Sequence, residues 1–536
     1  MADREQKPKT SDLAKRLEAL QEVAVDLITV RNPRQLLSMM LQRASDLLCC
    51  DAGSLYIKHS EQELIFEIAI NRSMNLDLER KVIPLAAPGL ATHCFRTGES
   101  FLIDDAYAIG HDAPYHFDTK FDEKSGYRTK SILLVPLLSS KGEKLGVLQL
   151  INRKSKVDEN WPSRDKAKLA KMPGFSDDDR RLAASFAAIA SAALENATLY
   201  KSIENLFEGF VYAAVGAIES RDRATRGHSE RVAILTIDLA QKAVRSGHAE
   251  LRGLAFTNQQ LSEIRYAALL HDFGKISVRE QTLMKSEKLH QHECSAIRHR
   301  MNEFASAQEI HELRALLRHL MSEGRAPGEL DLANVDRTIR KFKNKIDEYW
   351  DTVLDLNQPT ILDEDKTKIL EALQTVEMMA ANGTLQKLLL PGEASALSIK
   401  RGSLSPAERR EIEEHVTRTY LFLKEIPWTK EFQKVADIAH AHHEKLDGTG
   451  YPRRVKANDI PDQSRIMTIC DIYDALVASD RPYKRAVPAQ KALAILEDEV
   501  KGGKLDRRFF RVFLEAKVFE NLEFVALTGS PVKKAA

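Results

Sequence analysis

Apolar residues recur at helical spacing along the first 48 positions of the chain. They form two sets, Leu13, Leu17, Leu20 and Val23, and then Leu36, Met39 and Leu41. Asn32 and Pro33 stand between the sets, and such a pair is typical of the start of a new helix. We therefore predict two helices in this segment.

Four short runs rich in Ile, Val and Leu follow, with partial alternation of apolar and polar positions. They are AGSLYIKHS (52–60), ELIFEIAIN (63–71), SILLVPLLSS (131–140) and KLGVLQLIN (144–152). The last two flank SSKGEK, which is a good hairpin turn. This pattern predicts a mainly antiparallel sheet from about 52 to 153, with helices and loops inserted between 85 and 130.

The rest of the chain has a helical pattern. The run from 177 to 215 contains no Gly or Pro before Gly209 and predicts one or two long helices. From 210 onward the pattern is almost purely helical. Three charged helical patterns between about 300 and 400 suggest an inserted helical subdomain whose charged faces are solvated.

Length and composition restrict the classes of protein. The 536 residues predict two to four domains. Lys plus Arg (79) nearly balance Asp plus Glu (78), so general nucleic-acid binding is not expected. The five cysteines lack C-x-x-C spacing, the N-terminus is charged, and we see no run of ~20 apolar residues. We expect a reduced, cytoplasmic protein without a membrane segment.

The sequence YAALLHDFGKI places an imidazole beside a carboxylate at the end of an apolar helix. His271 and Asp272 offer a neutral nitrogen ligand and an oxygen ligand that can bridge two cations, and Lys275 adds a positive charge one turn later. An isolated His-Asp pair is also common by chance on a surface. The remaining candidates decide between these interpretations.

Further candidate ligands lie on both sides of this pair. They are His228, His415, His442, His443 and Asp471. Asp471 lies in the apolar helical run IMTICDIYDAL, where an unpartnered carboxylate would cost several kcal/mol, so a cation or a donor such as arginine should lie beside it. Together with His271 and Asp272, this set suits a two-metal site for Fe, Mn or Zn that binds a phosphodiester and activates water.

In this order, His228, HDFGK, His415, HHEKLDGTGYP, DIYDAL and DRPYKRA resemble the HD-GYP family of metal-dependent phosphohydrolases. The resemblance covers roughly 210 to 520, apart from the insertion. It implies an all-helical domain with divalent metals, usually iron or manganese, that hydrolyses the bacterial signalling molecule cyclic di-GMP to linear pGpG or GMP. By the same resemblance the metal ligands are His228, His271, Asp272, His415, His442, His443 and Asp471, with Asp272 and Lys275 catalytic. Lys275, Tyr451, Arg481 and Lys484 would bind substrate.

Two departures from the family pattern bear on this assignment. Some members have a carboxylate four residues before the first histidine for a third metal, and Ala224 stands there, so we expect two metals. KLHQHECSAIRH resembles the segment of the middle histidine, which makes His299 a competitor of His415. We favour His415, because the pattern from 404 to 428 matches the family better.

HAHHEKLDGTGYP combines expected ligands with residues that have other expected roles. We expect His440 to be an ordinary helix-face residue and Glu444 to orient a ligand. Gly448 and Gly450 should supply unusual backbone angles in the following turn.

The front half resembles GAF domains of cyclic-nucleotide phosphodiesterases through AGSLYI, TGES, DDAY, GYRTKSILLVPL, GVLQLINRK and FSDDD. The nucleotide-binding signature survives in part as Asn152, Arg153, Phe175 and Asp179, so either a small-molecule or cyclic-nucleotide sensor or a dimerisation domain is implied. The ligand is unknown.

These patterns divide the chain into a helical extension (1–29), an α+β GAF sensor domain (30–195) with an antiparallel sheet and flanking helices, and a connecting signalling helix (177–215). An all-α HD-type domain (210–525) with a helical insertion at about 290–400 and a tail (526–536) complete it.

We expect a GAF-regulated, homodimeric cyclic di-GMP phosphodiesterase of bacterial signal transduction. A weakly catalytic cyclic-dinucleotide-binding module that acts through protein partners is one alternative. An HD-type hydrolase of another nucleotide phosphate ester is the other.

Overall fold

The computed structural model describes residues 7–74, 80–157, 159–163, 165–221, 227–478 and 486–521. The chain divides into two compact units, Met1–Gly209 and Phe210–Ala536.

The first unit is built on a six-stranded antiparallel sheet with the strand order β3-β2-β1-β6-β5-β4. Its strands are β1 (Cys50–Ser60), β2 (Glu63–Asn71), β3 (Lys81–Pro84), β4 (Phe101–Ile103), β5 (Ile132–Leu138) and β6 (Lys144–Arg153). The four predicted strands are confirmed as the centre of this sheet. The prediction missed β3 and β4, because short edge strands have no recognisable alternation.

Helices cover both faces of this sheet. They are α1 (Lys7–Thr29), α2 (Pro33–Leu47), α3 (Leu90–Thr97), α4 (Lys120–Ser125), α5 (Lys166–Lys171) and α6 (Asp177–Arg221). The predicted break between the first two helices is confirmed, since Asn32 caps α2 by accepting hydrogen bonds from the Arg34 and Gln35 amides. One apolar cluster joins α1, α2 and α6 to one face, and α3 packs in a second cluster with β4 and β5.

Helix α6 is a single helix of 45 residues that continues through Gly209. By length and composition it is apolar enough to cross a membrane, which the sequence analysis did not foresee. One face of this helix up to Ala197, including Phe186 and Leu194, packs in the core of the first unit. A buried core helix meets the same criterion as a membrane span, so this helix carries no conclusion about a membrane.

The second unit is mostly helical. Its helices are α7 (His228–Arg245), α8 (Asn258–Leu270), α9 (Glu280–Leu283), α10 (Gln291–Glu323), α11 (Glu329–Asn357), α12 (Glu364–Thr375), α13 (Pro391–Leu397), α14 (Pro406–Glu425), α15 (Val435–His440), α16 (Asp462–Val477), α17 (Ala489–Lys501) and α18 (Arg507–Glu515). The mostly helical character of this half is therefore confirmed.

The inserted segment has an apolar core of its own. Helices α10 and α11 pack antiparallel, as the ion pairs Arg298–Asp347 and Lys343–Glu309 show. Their inner residues form one cluster with α12 and α13 that extends from Leu289 to Leu397. A two-stranded hairpin, β7 (Glu377–Met379) and β8 (Leu385–Lys387), lies within the insertion, which the sequence predicted to be helical. The insertion is therefore not purely helical.

Candidate metal centre

Five segments of the second unit bring the predicted ligands together. His228 is the first residue of α7, and His271 and Asp272 follow the last turn of α8. The other segments contribute His415 from the middle of α14, His442 and His443 from the turn after α15, and Asp471 from α16. Each ligand thus lies on a helix or directly at a helix end, where packing of the helix fixes its position.

Three of the imidazoles are oriented by the backbone of their own helical turn. Nδ1 of His271 lies 2.7 Å from the Ala268 carbonyl oxygen, and Nδ1 of His442 lies 2.6 Å from that of Ala439. His415 makes the same contact with the Ile412 carbonyl. Because a carbonyl oxygen can only accept, each Nδ1 carries the proton and each Nε2 has a free lone pair.

The Nε2 atoms of these three histidines are buried and have no hydrogen-bond partner among the described residues. A buried polar atom without a partner is costly, and native proteins rarely leave one unless an ion or water satisfies it. The three atoms therefore fit nitrogen ligands of a metal.

Two buried carboxylates lie among these nitrogens. Asp272 Oδ1 is 3.2 Å from His415 Nε2, and Asp272 Oδ2 is 3.4 Å from His271 Nε2. Asp471 Oδ1 is 3.2 Å from His228 Nε2 and 3.8 Å from His271 Nε2. The ligand atoms fall into three overlapping groups, each within 4.8 Å: His228, His271 and Asp272; His271, His442 and Asp471; and His415, His442 and His443. Overlapping groups with two carboxylates suit more than one cation.

The electrostatics of the site favour the neutral forms of His271, His442 and His443 and the ionised forms of the two carboxylates. Burial lowers the pKa of His442 to about 3, and it also lowers the pKa of His271. Burial opposes ionisation of Asp272, but the neighbouring Lys275 and histidines outweigh it and hold its pKa well below the usual range. The Nζ of Lys275 lies 2.7 Å from Asp272 Oδ2. Neutral imidazole and carboxylate are the forms that ligate metals.

His228 is held by a second carboxylate that the sequence analysis missed. Asp474 is fully buried, and its Oδ2 lies 2.7 Å from His228 Nδ1. Arg231 donates to the same carboxylate from Nε at 2.7 Å and from Nη2 at 3.0 Å. Burial lowers the pKa of His228, but hydrogen bonds to Asp471 and Asp474 outweigh it and raise that pKa to about 9. The signal was available, since Asp474 lies one helical turn after Asp471 in the same apolar run.

His443 and Tyr451 form one side of the site. His443 Nδ1 is 3.8 Å from Asp471 Oδ2, and the rings of His443 and Tyr451 are 4.7 Å apart. Burial raises the pKa of the Tyr451 hydroxyl well above its usual range, so the hydroxyl remains a donor at neutral pH. His299 is exposed on α10 and belongs to none of the ligand groups of the described residues. Arg481 and Lys484 lie outside the described residues.

The turn after the two histidines differs from the prediction in two details. Glu444 does not contact a ligand histidine in the described hydrogen bonds; it accepts hydrogen bonds from the Arg453 and Val455 amides at 2.8 and 3.2 Å. Gly448 has the predicted positive φ of 83°, but Gly450 does not. A Cβ on Gly450 would meet the Lys445 nitrogen at 2.3 Å, so close backbone approach requires this glycine.

His440 is more buried than a helix-face residue would be. Its ring stacks on Tyr420 at 4.1 Å, and burial lowers its pKa to about 4. His440 belongs to none of the ligand groups of the described residues. It is a core residue next to the centre.

The partial nucleotide-binding signature of the first unit makes structural contacts. Asn152 donates to the Tyr127 hydroxyl at 2.9 Å and accepts from the Lys130 amide at 2.7 Å. Arg153 pairs with Asp179 at 3.3 Å, and Phe175 is buried in the core. These contacts brace the sheet against α6 and its preceding loop.

Comparisons with known proteins agree with this division. Residues 32–194 match the family model of the GAF domain, and residues 361–509 match that of the HD domain. The chain is 45% identical over 109 residues to "3'3'-cGAMP-specific phosphodiesterase 3" of Vibrio cholerae serotype O1, covering 20% of this chain and 23% of that protein. It is 37% identical over 106 residues to "Cyclic di-GMP phosphodiesterase" of Thermotoga maritima, covering 20% of this chain and 28% of that protein.

The alignments thus span about a quarter of the length of these curated relatives. Among solved structures, the GAF domain from Acinetobacter phosphoenolpyruvate-protein phosphotransferase aligns at 16% identity, covers 34% of this chain and 94% of that chain, and has a TM-score of 0.26. By the two family-model matches, the chain carries a GAF domain in its first unit and an HD domain in its second, and a segment of about 110 residues is similar to the two cyclic-dinucleotide phosphodiesterases named above.

Proposed function

We propose that the chain is a metal-dependent phosphodiesterase that hydrolyses a cyclic dinucleotide. The observation that carries this proposal is the set of three buried, partnerless Nε2 atoms that surround two buried carboxylates. Neither a structural ion pair nor a solvated surface would leave these nitrogens without partners.

The proposed metal ligands are those that the site groups together. His228, His271, His415, His442 and His443 would supply nitrogens, and Asp272 and Asp471 would supply oxygens that two cations can share. Mixed imidazole and carboxylate donors suit iron, manganese and zinc, and the resemblance to the HD-GYP family makes iron and manganese the proposed metals. When bound, two such ions would neutralise phosphate charge and activate water for attack on phosphorus.

Protein groups at the same site would orient and neutralise the substrate. Lys275 lies beside Asp272 with 17% of its side chain exposed, so its ammonium can offset charge that develops on a phosphoryl oxygen. The protonated Tyr451 hydroxyl can donate to a phosphate or base, and its ring offers a stacking surface. Asp474 and Arg231 keep His228 oriented while the substrate binds.

Cyclic di-GMP and 3′3′-cGAMP are the substrate candidates. Both are named for relatives of the HD half, and the relative with the 45% identical segment is named for 3′3′-cGAMP. We propose cyclic di-GMP as the first substrate and 3′3′-cGAMP as the specific alternative, with a linear dinucleotide or mononucleotides as products.

We further propose that the GAF domain regulates this site through α6, with a small molecule as its ligand. The support lies in the last turn of α6, inside the second unit. Glu219 lies near Gly227 and His228, which oppose the rise in its pKa that burial causes. Arg221 donates to the Ile276 carbonyl, next to Lys275. A shift of this turn would therefore move two segments of the site together.

The direct test is hydrolysis by the full chain loaded with Fe(II) or Mn(II). We expect cyclic di-GMP, 3′3′-cGAMP or both to be converted to linear product, and Asp272→Ala to abolish the reaction. Asp437→Ala is the matched control, because Asp437 is 53% exposed and pairs only loosely with Lys424 at 3.6 Å. If the fully metal-loaded wild type leaves both dinucleotides intact, the proposal fails.

A nucleotide-binding module with little turnover is the second candidate. It is favoured by contacts that tie the start of the insertion to α14, which carries His415. Glu408 accepts hydrogen bonds from Lys285 at 2.8 Å and contacts His290 at 3.0 Å. Tight dinucleotide binding without turnover, and turnover after replacement of residues 308–338 by a short linker, would identify this function. The replaced tip contains no member of the apolar cluster of the insertion.

A further inference from the structure

Arg454 has a backbone conformation that arginine seldom adopts. Its φ is 57°, which lies in the left-handed region, and Lys517 is the other non-glycine residue with a positive φ in the described part of the second unit. The left-handed region crowds the Cβ atom of an L-residue, whereas glycine enters it at no steric cost. The turn itself therefore does not require an arginine at this position. Because residues in such conformations cluster at functional sites, we expect the arginine side chain to have a use of its own.

Contacts of the turn fix Arg454 relative to the predicted metal ligand His443. The Tyr451 amide donates to the His443 carbonyl at 3.2 Å. Glu444, the residue after this ligand, is buried, and its carboxylate accepts hydrogen bonds at 2.8 and 3.2 Å from the two amides that flank Arg454. The Arg454 backbone therefore keeps a set position beside the candidate metal centre.

The Arg454 guanidinium has no acidic partner among the described residues, and the residue is exposed. Lys445, in the same turn, differs because it pairs with Glu499 at 3.4 Å. Tyr451 lies three residues before Arg454, and its ring is 4.7 Å from that of His443. Three residues span at most ~10 Å of chain, so Arg454 brings a cation to the edge of the site that Tyr451 lines.

We propose that Arg454 binds the second phosphate of the cyclic dinucleotide, the one that is not cleaved. A cyclic dinucleotide has two phosphodiester groups, and the proposed metals with Lys275 would neutralise the one that reacts. A guanidinium suits the other, because its planar fork of N–H groups matches two phosphate oxygens. A backbone that is already fixed lowers the cost of ordering this cation when the substrate binds. This inference rests on the proposed function.

Hydrolysis of two kinds of phosphodiester by the full, metal-loaded chain tests this role. Cyclic di-GMP and 3′3′-cGAMP contain two phosphates, whereas bis(p-nitrophenyl) phosphate contains one and serves as the internal reference. In Arg454→Gly, the ratio of kcat/KM for the cyclic dinucleotide to that for the reference ester should fall ~10–100-fold, through a higher KM, because a hydrogen bond to a charged group is lost. Arg454→Lys keeps the charge without the fork and should recover part of this loss.

Thermal unfolding and a matched control separate substrate binding from a structural role. Arg454→Gly removes a Cβ from the left-handed region, so it should melt no lower than the wild type. Lys517→Gly is the control, because it also removes a cation from a residue with a positive φ, of 49°, but lies after α18 and outside the site. It should keep the wild-type ratio.

The outcomes distinguish failure of this inference from failure of the proposed function. A ratio in Arg454→Gly equal to that of the wild type, through unchanged rates or through equal losses on both esters, overturns the inference. So does an equal fall in Lys517→Gly, or a melting temperature of Arg454→Gly below that of the wild type. A wild type that cleaves neither cyclic dinucleotide refutes the proposed function, and the inference with it.

Discussion

Asp474→Asn would test whether the buried carboxylate behind His228 prepares that histidine for a metal. The substitution keeps the volume of the side chain and one carbonyl acceptor, but it removes the negative charge. The wild-type carboxylate contacts His228 Nδ1 at 2.7 Å and accepts from Arg231 Nε at 2.7 Å and Nη2 at 3.0 Å. The single remaining oxygen cannot satisfy all these groups with the geometry of a carboxylate.

The expected loss follows from the role of such a partner. A carboxylate behind a ligating histidine fixes the ring and raises its basicity, and its loss typically costs ~10–100-fold in metal affinity. This corresponds to ~1.4–2.7 kcal/mol of binding free energy. Folding should also be affected, because Asp474 is fully buried and hydrogen bonds to charged groups contribute ~1.5–3 kcal/mol.

Metal titration by calorimetry, with thermal unfolding of the metal-free protein, separates the two effects. Asp437→Asn is the matched control, since it removes the same charge from an exposed site. We expect weaker metal binding in Asp474→Asn even at temperatures where the metal-free variant is fully folded, and unchanged binding in the control. An affinity equal to that of the wild type would refute the assignment of Asp474 as the residue that orients His228.

Three further predictions concern other supports of the site. Gly274→Ala should lose metal and unfold at lower temperature, because its Cβ would lie 1.9 Å from the His415 carbonyl oxygen. Such overpacking typically costs ~1–3 kcal/mol of stability. Gly392→Ala is the control and should behave like the wild type, because its Cβ would have no atom within 4 Å. Glu408→Gln should melt at a lower temperature than the wild type near neutral pH. The difference between the two melting temperatures should shrink as the pH falls from 4.5 towards about 2. Burial opposes ionisation of Glu408, but Lys285 and Ser405 lower the pKa of its carboxyl in the folded protein from 4.5 to about 2. The ionised carboxylate therefore stabilises the fold above pH 4.5, and this stabilisation is lost as the pH falls through the folded-state pKa. Glu444→Gln should raise KM, since Glu444 holds the Arg453 and Val455 amides. The metal content, measured by elemental analysis, should stay unchanged, and loss of metal would contradict this role.

The sequence predicted the first unit where local pattern determined structure. Central strands β1 and β6 alternate visibly, and Asn32 with Pro33 marks the start of α2, because strand periodicity and helix capping depend on neighbouring residues. The edge strand β4 spans only three residues, from Phe101 to Ile103, and is defined by its pairing with β5. Pairing between distant segments leaves no periodic signal in so short a run.

The candidate site shows the same division between local and distant information. His271 and Asp272 stand out by their place after an apolar helix, and Asp471 stands out as a carboxylate inside one. The role of Asp474 depends on His228, which lies 246 residues away. Gly450 was predicted correctly as a special residue for the wrong reason, because its close contact with the Lys445 backbone arises only after the turn folds back.

The insertion explains why spacing alone could not select the middle histidine. It separates α9 from α14, yet its two ends are tied at its base, where Lys288 Nζ donates to the Leu397 carbonyl at 3.2 Å and the Ser403 hydroxyl donates to the Lys285 carbonyl at 3.0 Å.

The insertion has its own apolar core and a closed base. It therefore adds little to the entropic cost of bringing α14 to α8 during folding, because the entropy lost on closing a loop grows only slowly with loop length. Direct contacts then set the position of His415. Gly274 packs against the His415 backbone. The Thr419 hydroxyl, one turn later on α14, accepts from the Gly274 amide at 2.8 Å and donates to the His271 carbonyl at 3.0 Å. We therefore expect the middle histidine to be the one on the helix that packs on the HDFGK segment, whatever the length of chain between them.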